Sequence, residues 1–275
     1  MPIERVDGAT DARIAEYRDV GDPELVRARS MFIAEGRLVV RRVIEDRRWR
    51  VRSVLVSEAA RASLASVLDT LAADVPIYVC DVADFQGVTG YNIHRGCLAL
   101  VERRPAPGID TLLASSRTLV VLEGVANADN VGGVFRNAAA FGGDGVLLSP
   151  TTCDPLYRKA IRTSMAAVLR VPFARVDDWP GVLTRVRAAG FTIVALTPRQ
   201  PSEPLHVFAA RGRPPKLALL VGTEGAGLTP AAEATADCRV RIPISDCVDS
   251  LNVAVAAGIA LYAVRRDVSG TRDRG

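Results

Sequence analysis

Apolar residues along this chain gather into short runs, and the spacing of those runs changes once. Before residue 105, a helical pattern at 32–46 is followed by β-type runs at 51–56, 76–80 and 97–101, which predicts a small mixed α/β unit. The stretch Arg103-Arg104-Pro105-Ala106-Pro107-Gly108 then combines charge, proline and glycine, as a short stiff linker does. From Thr118 onward, strand-like runs at 119–122, 145–148, 192–196, 217–221 and 240–244 alternate with helical stretches. Such alternation predicts a parallel sheet covered by helices on both faces, with ligands beyond the carboxyl ends of its strands. The boundaries that follow are an α/β domain at 1–104, a linker at 105–117, a second α/β domain at 118–268 and a flexible tail at 269–275.

A helix beginning near Ser250 is apolar almost all round, from Val253 through Leu261, and must be covered on most sides. It is either an internal core helix, which the pattern favours, or part of a subunit interface that its small residues would let close tightly. The apolar stretch 253–264 falls short of the roughly 18 to 20 residues of a membrane span, and the opening MPIERVDGAT has no apolar leader core. A soluble, cytoplasmic protein with no membrane partner is expected.

With 275 residues and 49% hydrophobic content, the chain can bury two modest cores. A net charge of +4 is only weakly suggestive of a polyanionic partner. Its distribution says more: Arg37, Arg41, Arg42, Arg47, Arg48, Arg50 and Arg52 face only Glu45 and Asp46 in the same stretch. Five scattered cysteines without a CxxC pair, and two histidines far apart, His94 and His206, give no metal-ligand pattern, so no metal is expected.

Three segments after predicted strands carry candidate chemistry. The first runs Glu123-Gly124-Val125-Ala126-Asn127-Ala128-Asp129-Asn130-Val131-Gly132-Gly133 before a helix opening at Val134-Phe135-Arg136, and offers an amide at Asn130 and a cation at Arg136. The second, Gly222-Thr223-Glu224-Gly225-Ala226-Gly227-Leu228-Thr229, nearly fits a phosphate-binding P-loop, but Leu228 stands where that motif needs lysine. A nucleoside triphosphatase is therefore disfavoured, and the absence of GxGxxG after the first strand weakens an ordinary dinucleotide fold. The third passes from Ile242-Pro243-Ile244 through a polar turn to Ser250-Leu251-Asn252-Val253, where Asp249 or Ser250 is placed to cap the apolar helix. Free amides at that helix end also suit a carboxylate.

In order and spacing the three segments resemble the SpoU (TrmH) family of RNA 2'-O-ribose methyltransferases, of the SPOUT superfamily. Asn130, Gly132 and Arg136 are similar to its N-x-G…R motif; Gly222, Glu224, Gly225 and Gly227 to its glycine-rich loop; and Ile242-Pro243-Ile244 with Ser250-Leu251-Asn252-Val253 to its I-P-x…S-L-N-V signature. Less strongly, Phe32-Ile33-Ala34-Glu35-Gly36 and Gly90-Tyr91-Asn92-Ile93-His94-Arg95-Gly96 resemble the family's accessory RNA-binding domain, of ribosomal-protein-L30e-like fold. The resemblance implies a C-terminal trefoil knot, a homodimer and S-adenosyl-L-methionine as cofactor. It implies cofactor contacts at Leu196, Thr197, Val221, Gly222, Glu224, Gly225, Ile242, Ile244, Ser250, Leu251 and Asn252, and catalytic roles for Arg136, Asn130, Glu224, Ser250 and Asn252.

RNA contacts are expected at Arg37, Arg41, His94 and Arg95. The implied reaction is methyl transfer to a ribose 2'-oxygen of structured RNA, ribosomal RNA being favoured over transfer RNA. Arginine is protonated across the physiological range, so Arg136 is read as a donor to the developing alkoxide, with a transient base role left open. The main rival reading is a non-catalytic RNA-binding protein of the same fold. A second is a methyltransferase acting on another nucleophile, such as a base nitrogen, against which the wording of the three motifs favours ribose. The segment 158–165, where the family often carries a small-residue helix near its substrate, fits only loosely through Arg162 and Ser164.

Overall fold

The strand-forming runs of the first hundred residues pair into one five-stranded sheet, and those after residue 117 into a second sheet of seven strands. This computed structural model describes residues 2–18, 21–89 and 96–265. The chain divides into two units, Met1–Pro105 with Asp154–Leu169, and Ala106–Cys153 with Arg170–Gly275.

The first unit contains β1 (Ile3–Arg5), α1 (Ala15–Arg18), α2 (Asp22–Arg27), β2 (Met31–Glu35), α3 (Arg37–Glu45), β3 (Val51–Val56), α4 (Glu58–Leu68), β4 (Ile77–Val79), α5 (Val82–Thr89) and β5 (Cys97–Glu102). Its strand order is β1-β4-β3-β5-β2, with β5 antiparallel to both β2 and β3. The helix expected over 32–46 is thus a strand followed by a helix. Phe32, Ile33 and Ala34 are all fully buried. Successive residues on a strand point to opposite faces, so an apolar run is satisfied when both faces are covered. Gly36, at φ 92° and ψ 149°, separates the two elements, since no helix passes through that conformation.

The second unit begins with α6 (Ile109–Ser115), β6 (Thr118–Leu122), α7 (Ala128–Phe141) and β7 (Gly145–Leu148). The expected linker is therefore largely helical: Leu112 and Leu113 are buried in one core with Leu119, Val121 and Leu147. An I-x-x-L-L spacing gives one apolar helical face, a signal masked by the proline and glycine just before it. Next comes α8 (Arg158–Thr163), which lies in the first unit. There Arg158 pairs with Asp22 at 2.9 Å, Arg162 with Glu35 at 3.1 Å, and Arg103 with Asp154 at 2.8 Å. Burial pushes the Asp22 carboxyl above its usual range despite the Arg158 cation.

The chain continues through β8 (Phe173–Arg175), α9 (Val182–Ala188), β9 (Thr192–Leu196), β10 (Glu203–Pro204), α10 (Leu205–Ala210), β11 (Leu217–Val221), α11 (Pro230–Ala234), β12 (Cys238–Arg241) and α12 (Val253–Ala263). The strand order is β10-β12-β9-β11-β6-β7-β8, and every pair is parallel. Val221 is level with Leu122 on one side and Leu196 on the other, and Leu196 with Val240. Four loops, after β6, β9, β11 and β12, therefore leave the sheet at one edge. No helix among the described residues is long and apolar enough to cross a membrane.

Helices α7 and α12 pack closely, and glycine makes this possible. A Cβ on Gly133 would stand 2.6 Å from that of Ala254, and one on Gly258 would stand 2.8 Å from the Asn137 amide nitrogen. That amide donates to the Ala254 carbonyl at 2.6 Å. The expectation of a helix opening at Val134 is corrected accordingly: α7 starts at Ala128 behind an Asn127 cap, and Gly132 and Gly133 lie inside it. The core reading of α12 holds for one face only. Val253, Ala257, Gly258, Ala260 and Leu261 are buried, whereas Val255, Ile259 and Tyr262 are exposed. Gly133→Ala should lower stability in urea unfolding by about 1–2 kcal/mol, because overpacking outweighs the roughly 1 kcal/mol gain in helix propensity. Adding Ala254→Gly should restore most of the loss; a double variant as weak as the single one would contradict this packing.

Candidate active site

Three of these loops, after β9, β11 and β12, line one cavity at the carboxyl edge of the second sheet, together with the first turns of α12. Of the eleven residues assigned to a cofactor, Leu196, Thr197, Val221, Gly222, Glu224, Gly225, Ile242, Ile244, Ser250 and Leu251 line it, and Asn252 does not. Pro198, Thr223, Gly227, Val253 and Ala256 complete the wall. Glu224 is the only ionisable side chain in that wall among the described residues.

The glycine-rich loop after β11 is tightly folded. Gly227 donates to the Thr223 carbonyl at 3.0 Å, and Gly225 and Gly227 take φ of 78° and 70°. Gly222 has no room for a side chain: a Cβ would lie 2.3 Å from the Gly227 carbonyl carbon and 2.4 Å from the Leu228 nitrogen. Two side chains outside the loop hold it. Arg199 donates to the carbonyls of Ala226 (2.7 Å) and Leu228 (2.9 Å) and to Glu233 (3.1 Å). Glu123, buried just beyond β6, accepts from the Thr229 nitrogen (2.8 Å), the Thr229 hydroxyl (2.7 Å) and the Trp179 indole (2.6 Å). Neither residue was singled out from the sequence. The available signal for Glu123 was a carboxylate directly after an all-apolar strand, a position that demands partners.

Asn252 ties the third segment to the other two. Its Oδ1 caps α12 by accepting from the Ala254 and Val255 nitrogens at 3.0 and 3.3 Å. This fixes the amide so that Nδ2 donates to Asn130 Oδ1 and to Glu224 Oε1, both at 2.8 Å. The cap expected at Asp249 or Ser250 is therefore Asn252, because α12 starts only at Val253. Asn130, Glu224 and Asn252 are brought together, and Ser250 lies in the cavity wall. Arg136 stands six residues beyond Asn130 in α7, about 9 Å along the axis and a third of a turn round it. It is exposed, outside the cavity wall, and no hydrogen bond or ion pair engages it among the described residues.

In the first unit, Arg37 opens α3, while Arg47 to Arg52 lie beyond its far end, so the basic run is not one patch. Arg41 donates to the Ser63 carbonyl at 3.2 Å, Arg48 pairs with Asp46 at 2.7 Å, and Arg52 with Glu102 at 3.3 Å. His94 and Arg95, like the tail at 269–275, lie outside the described residues. Among the described residues no group of three or more His, Cys, Asp or Glu side chains is placed to hold a metal ion.

Comparison with known proteins agrees with the motifs. Residues 117–262 match the model of the SpoU rRNA methylase family. A Mycobacterium tuberculosis (strain ATCC 25618 / H37Rv) protein named as an uncharacterized tRNA/rRNA methyltransferase is 39% identical over 267 residues, which cover 95% of this chain and 91% of that one. An AdoMet-bound rRNA methyltransferase from Sinorhizobium meliloti shares the fold, with a TM-score of 0.79 and 24% identity over 95% of this chain and 97% of that one. A solved RNA 2'-O ribose methyltransferase aligns with a TM-score of 0.75 and 23% identity over 94% and 97% of the two chains. The fold is that of a parallel α/β protein with a lined cavity at the carboxyl edge of its sheet; more particularly, the chain belongs to the SpoU family of RNA methyltransferases.

The Asn252 junction gives a direct test. Asn252→Asp keeps the helix cap but sets a carboxylate against Glu224, raising the pKa of the new acid. The variant should lose about 1–2 kcal/mol at pH 7 by urea unfolding, and the loss should shrink as pH falls through the raised pKa. A pH-independent loss, or none, would show that the contact to Glu224 carries no weight.

Proposed function

We propose that this chain binds S-adenosyl-L-methionine in the cavity at the carboxyl edge of the second sheet and methylates a ribose 2'-hydroxyl of RNA. The observation that carries it is the wall of that cavity: apolar side chains, open backbone at Gly225, and a single ionisable group, the Glu224 carboxylate. Apolar Leu196, Val221, Ile242, Ile244 and Leu251 suit a purine ring, and backbone groups of the loops suit its polar edge. Among the described residues the wall offers one carboxylate and no cation, which fits a ligand of net positive charge and disfavours a nucleoside phosphate. The residues present therefore fit this cofactor, whose contribution when bound is an electrophilic methyl group on positively charged sulfur.

The remaining work falls to the chain. Asn252 holds Asn130 and Glu224 at fixed distances beside the cavity, so alignment of the acceptor is built in before binding. Arg136, exposed and unengaged among the described residues, is available to donate to a ribose oxygen as charge develops there and to grip the adjoining phosphate. Ser250, in the wall, orients the substrate side. The same reading includes a C-terminal trefoil knot, a ribosomal-protein-L30e-like first domain contacting RNA through Arg37 and Arg41, and action in the cytoplasm on ribosomal rather than transfer RNA. It also includes a homodimer. The exposed stripe Val255, Ile259 and Tyr262 on α12, spaced at i, i+4 and i+7, supports that part.

Labelled methyl transfer from S-adenosylmethionine to unmodified total RNA, followed by nuclease digestion, tests the reaction. Wild type should yield a 2'-O-methyl nucleoside, and Arg136→Ala should lose at least 100-fold in rate while binding the cofactor normally. A base-methylated product would overturn the ribose reading. Cofactor-independent RNA binding with no transfer would favour the non-catalytic alternative.

A further inference from the structure

The glycine-rich loop that walls the cavity contains two left-handed glycines, and glycine leaves a free loop many conformations to choose from. Something must select one. Within the loop, only a Thr223–Gly227 bridge and a Glu224–Ala226 turn hydrogen bond are made by the backbone. The end of the loop is held at Thr229 by Glu123, which belongs to a different strand. One carboxylate oxygen takes the Trp179 indole and the Thr229 hydroxyl, and the other takes the Thr229 backbone nitrogen. All three partners are donors, none is a cation, and Glu123 is only 5% exposed. An acceptor-only group is the one that satisfies three donors; an amide would turn its own N–H groups against one of them. Glu123 is outside the cavity wall, so this cost of burying a carboxylate is not spent on touching a ligand.

We propose that Glu123 is a positioning residue for the cofactor: it fixes the carboxyl-terminal end of the glycine-rich loop so that the loop is already in its binding shape before S-adenosylmethionine arrives. The proposal rests on the reading of the cavity as the cofactor site. If the loop is released, only a fraction of molecules are competent at any moment, and apparent affinity falls by that fraction. Once the cofactor is bound the loop is ordered again, so turnover at saturation is preserved. The defect falls on cofactor affinity and leaves kcat and the KM for RNA alone.

The test compares wild type with Glu123→Gln, Thr229→Val and Trp179→Phe. Each is titrated with S-adenosylmethionine by calorimetry, assayed for methyl transfer at saturating cofactor, and examined by amide hydrogen exchange over residues 223–228 without ligand. Glu123→Gln should bind the cofactor about tenfold more weakly, exchange those amides faster and keep kcat within twofold. Thr229→Val, which retains the backbone donor, should fall between it and wild type. An affinity within twofold of wild type in folded Glu123→Gln, or a loss in kcat with affinity unchanged, would overturn the proposal. Should that variant not fold, unchanged affinity and exchange in both Thr229→Val and Trp179→Phe would do so. If wild type itself binds no S-adenosylmethionine, the cofactor reading fails; the loop-fixing role then stands or falls on the exchange rates, unaltered exchange in the variants overturning it as well.

Discussion

Parallel pairing of β12, β9, β11 and β6 ends four strands at one edge, and the site depends on that alignment. A parallel sheet cannot turn back on itself tightly, so each strand hands its chain to a longer loop or helix at the same side. Here those loops are drawn from residues more than a hundred positions apart, yet register places Leu122, Val221 and Leu196 level. Strands β6 and β11 are buried along their whole length and β9 over its middle three residues, while the edgeward β12 buries only Val240, so the alignment is anchored by the central strands.

On that edge the polar contacts form a short chain of dependence. Asn252 joins α12, α7 and the glycine-rich loop; Glu123 joins β6 to the far end of that loop; Arg199 joins it to the loop after β9. Glu123 and Arg199 direct their side-chain hydrogen bonds to other segments, and Asn252 divides its own between capping α12 and reaching Asn130 and Glu224. The cavity is thereby shaped by partners that mostly lie behind it, leaving Glu224 as the charge that faces its contents.

Five of the strands of the second unit were legible because their apolar runs are bounded by charge, glycine or short polar residues, whereas β8 and β10, of three and two residues, are too short to show a pattern. The cavity residues came from the resemblance of the loop motifs to a known family, the strand pattern indicating only that ligands lie beyond the carboxyl ends. Other features depended on partners invisible in a linear reading. Phe32 to Ala34 fit a helical face as well as a doubly covered strand until Gly36 is seen at positive φ. Gly132 and Gly133 suggested a loop, whereas Gly133 is set by the closeness of Ala254. Leu112 and Leu113 were hidden by the proline-rich approach to α6, and Asp154–Leu169 joins the first unit through ion pairs that no local pattern announces. Glu123 is of the same kind, a charge whose meaning lies in Thr229 and Trp179.

The central claim is that the loops after β9, β11 and β12 form the seat of a cationic nucleoside cofactor. A crystal structure of the chain soaked with S-adenosylmethionine tests it most directly. Density for the cofactor between Thr197, Gly222 and Leu251, with Glu224 the nearest carboxylate, is the result the account predicts. Ordered cofactor elsewhere, with this cavity holding only water, would contradict it.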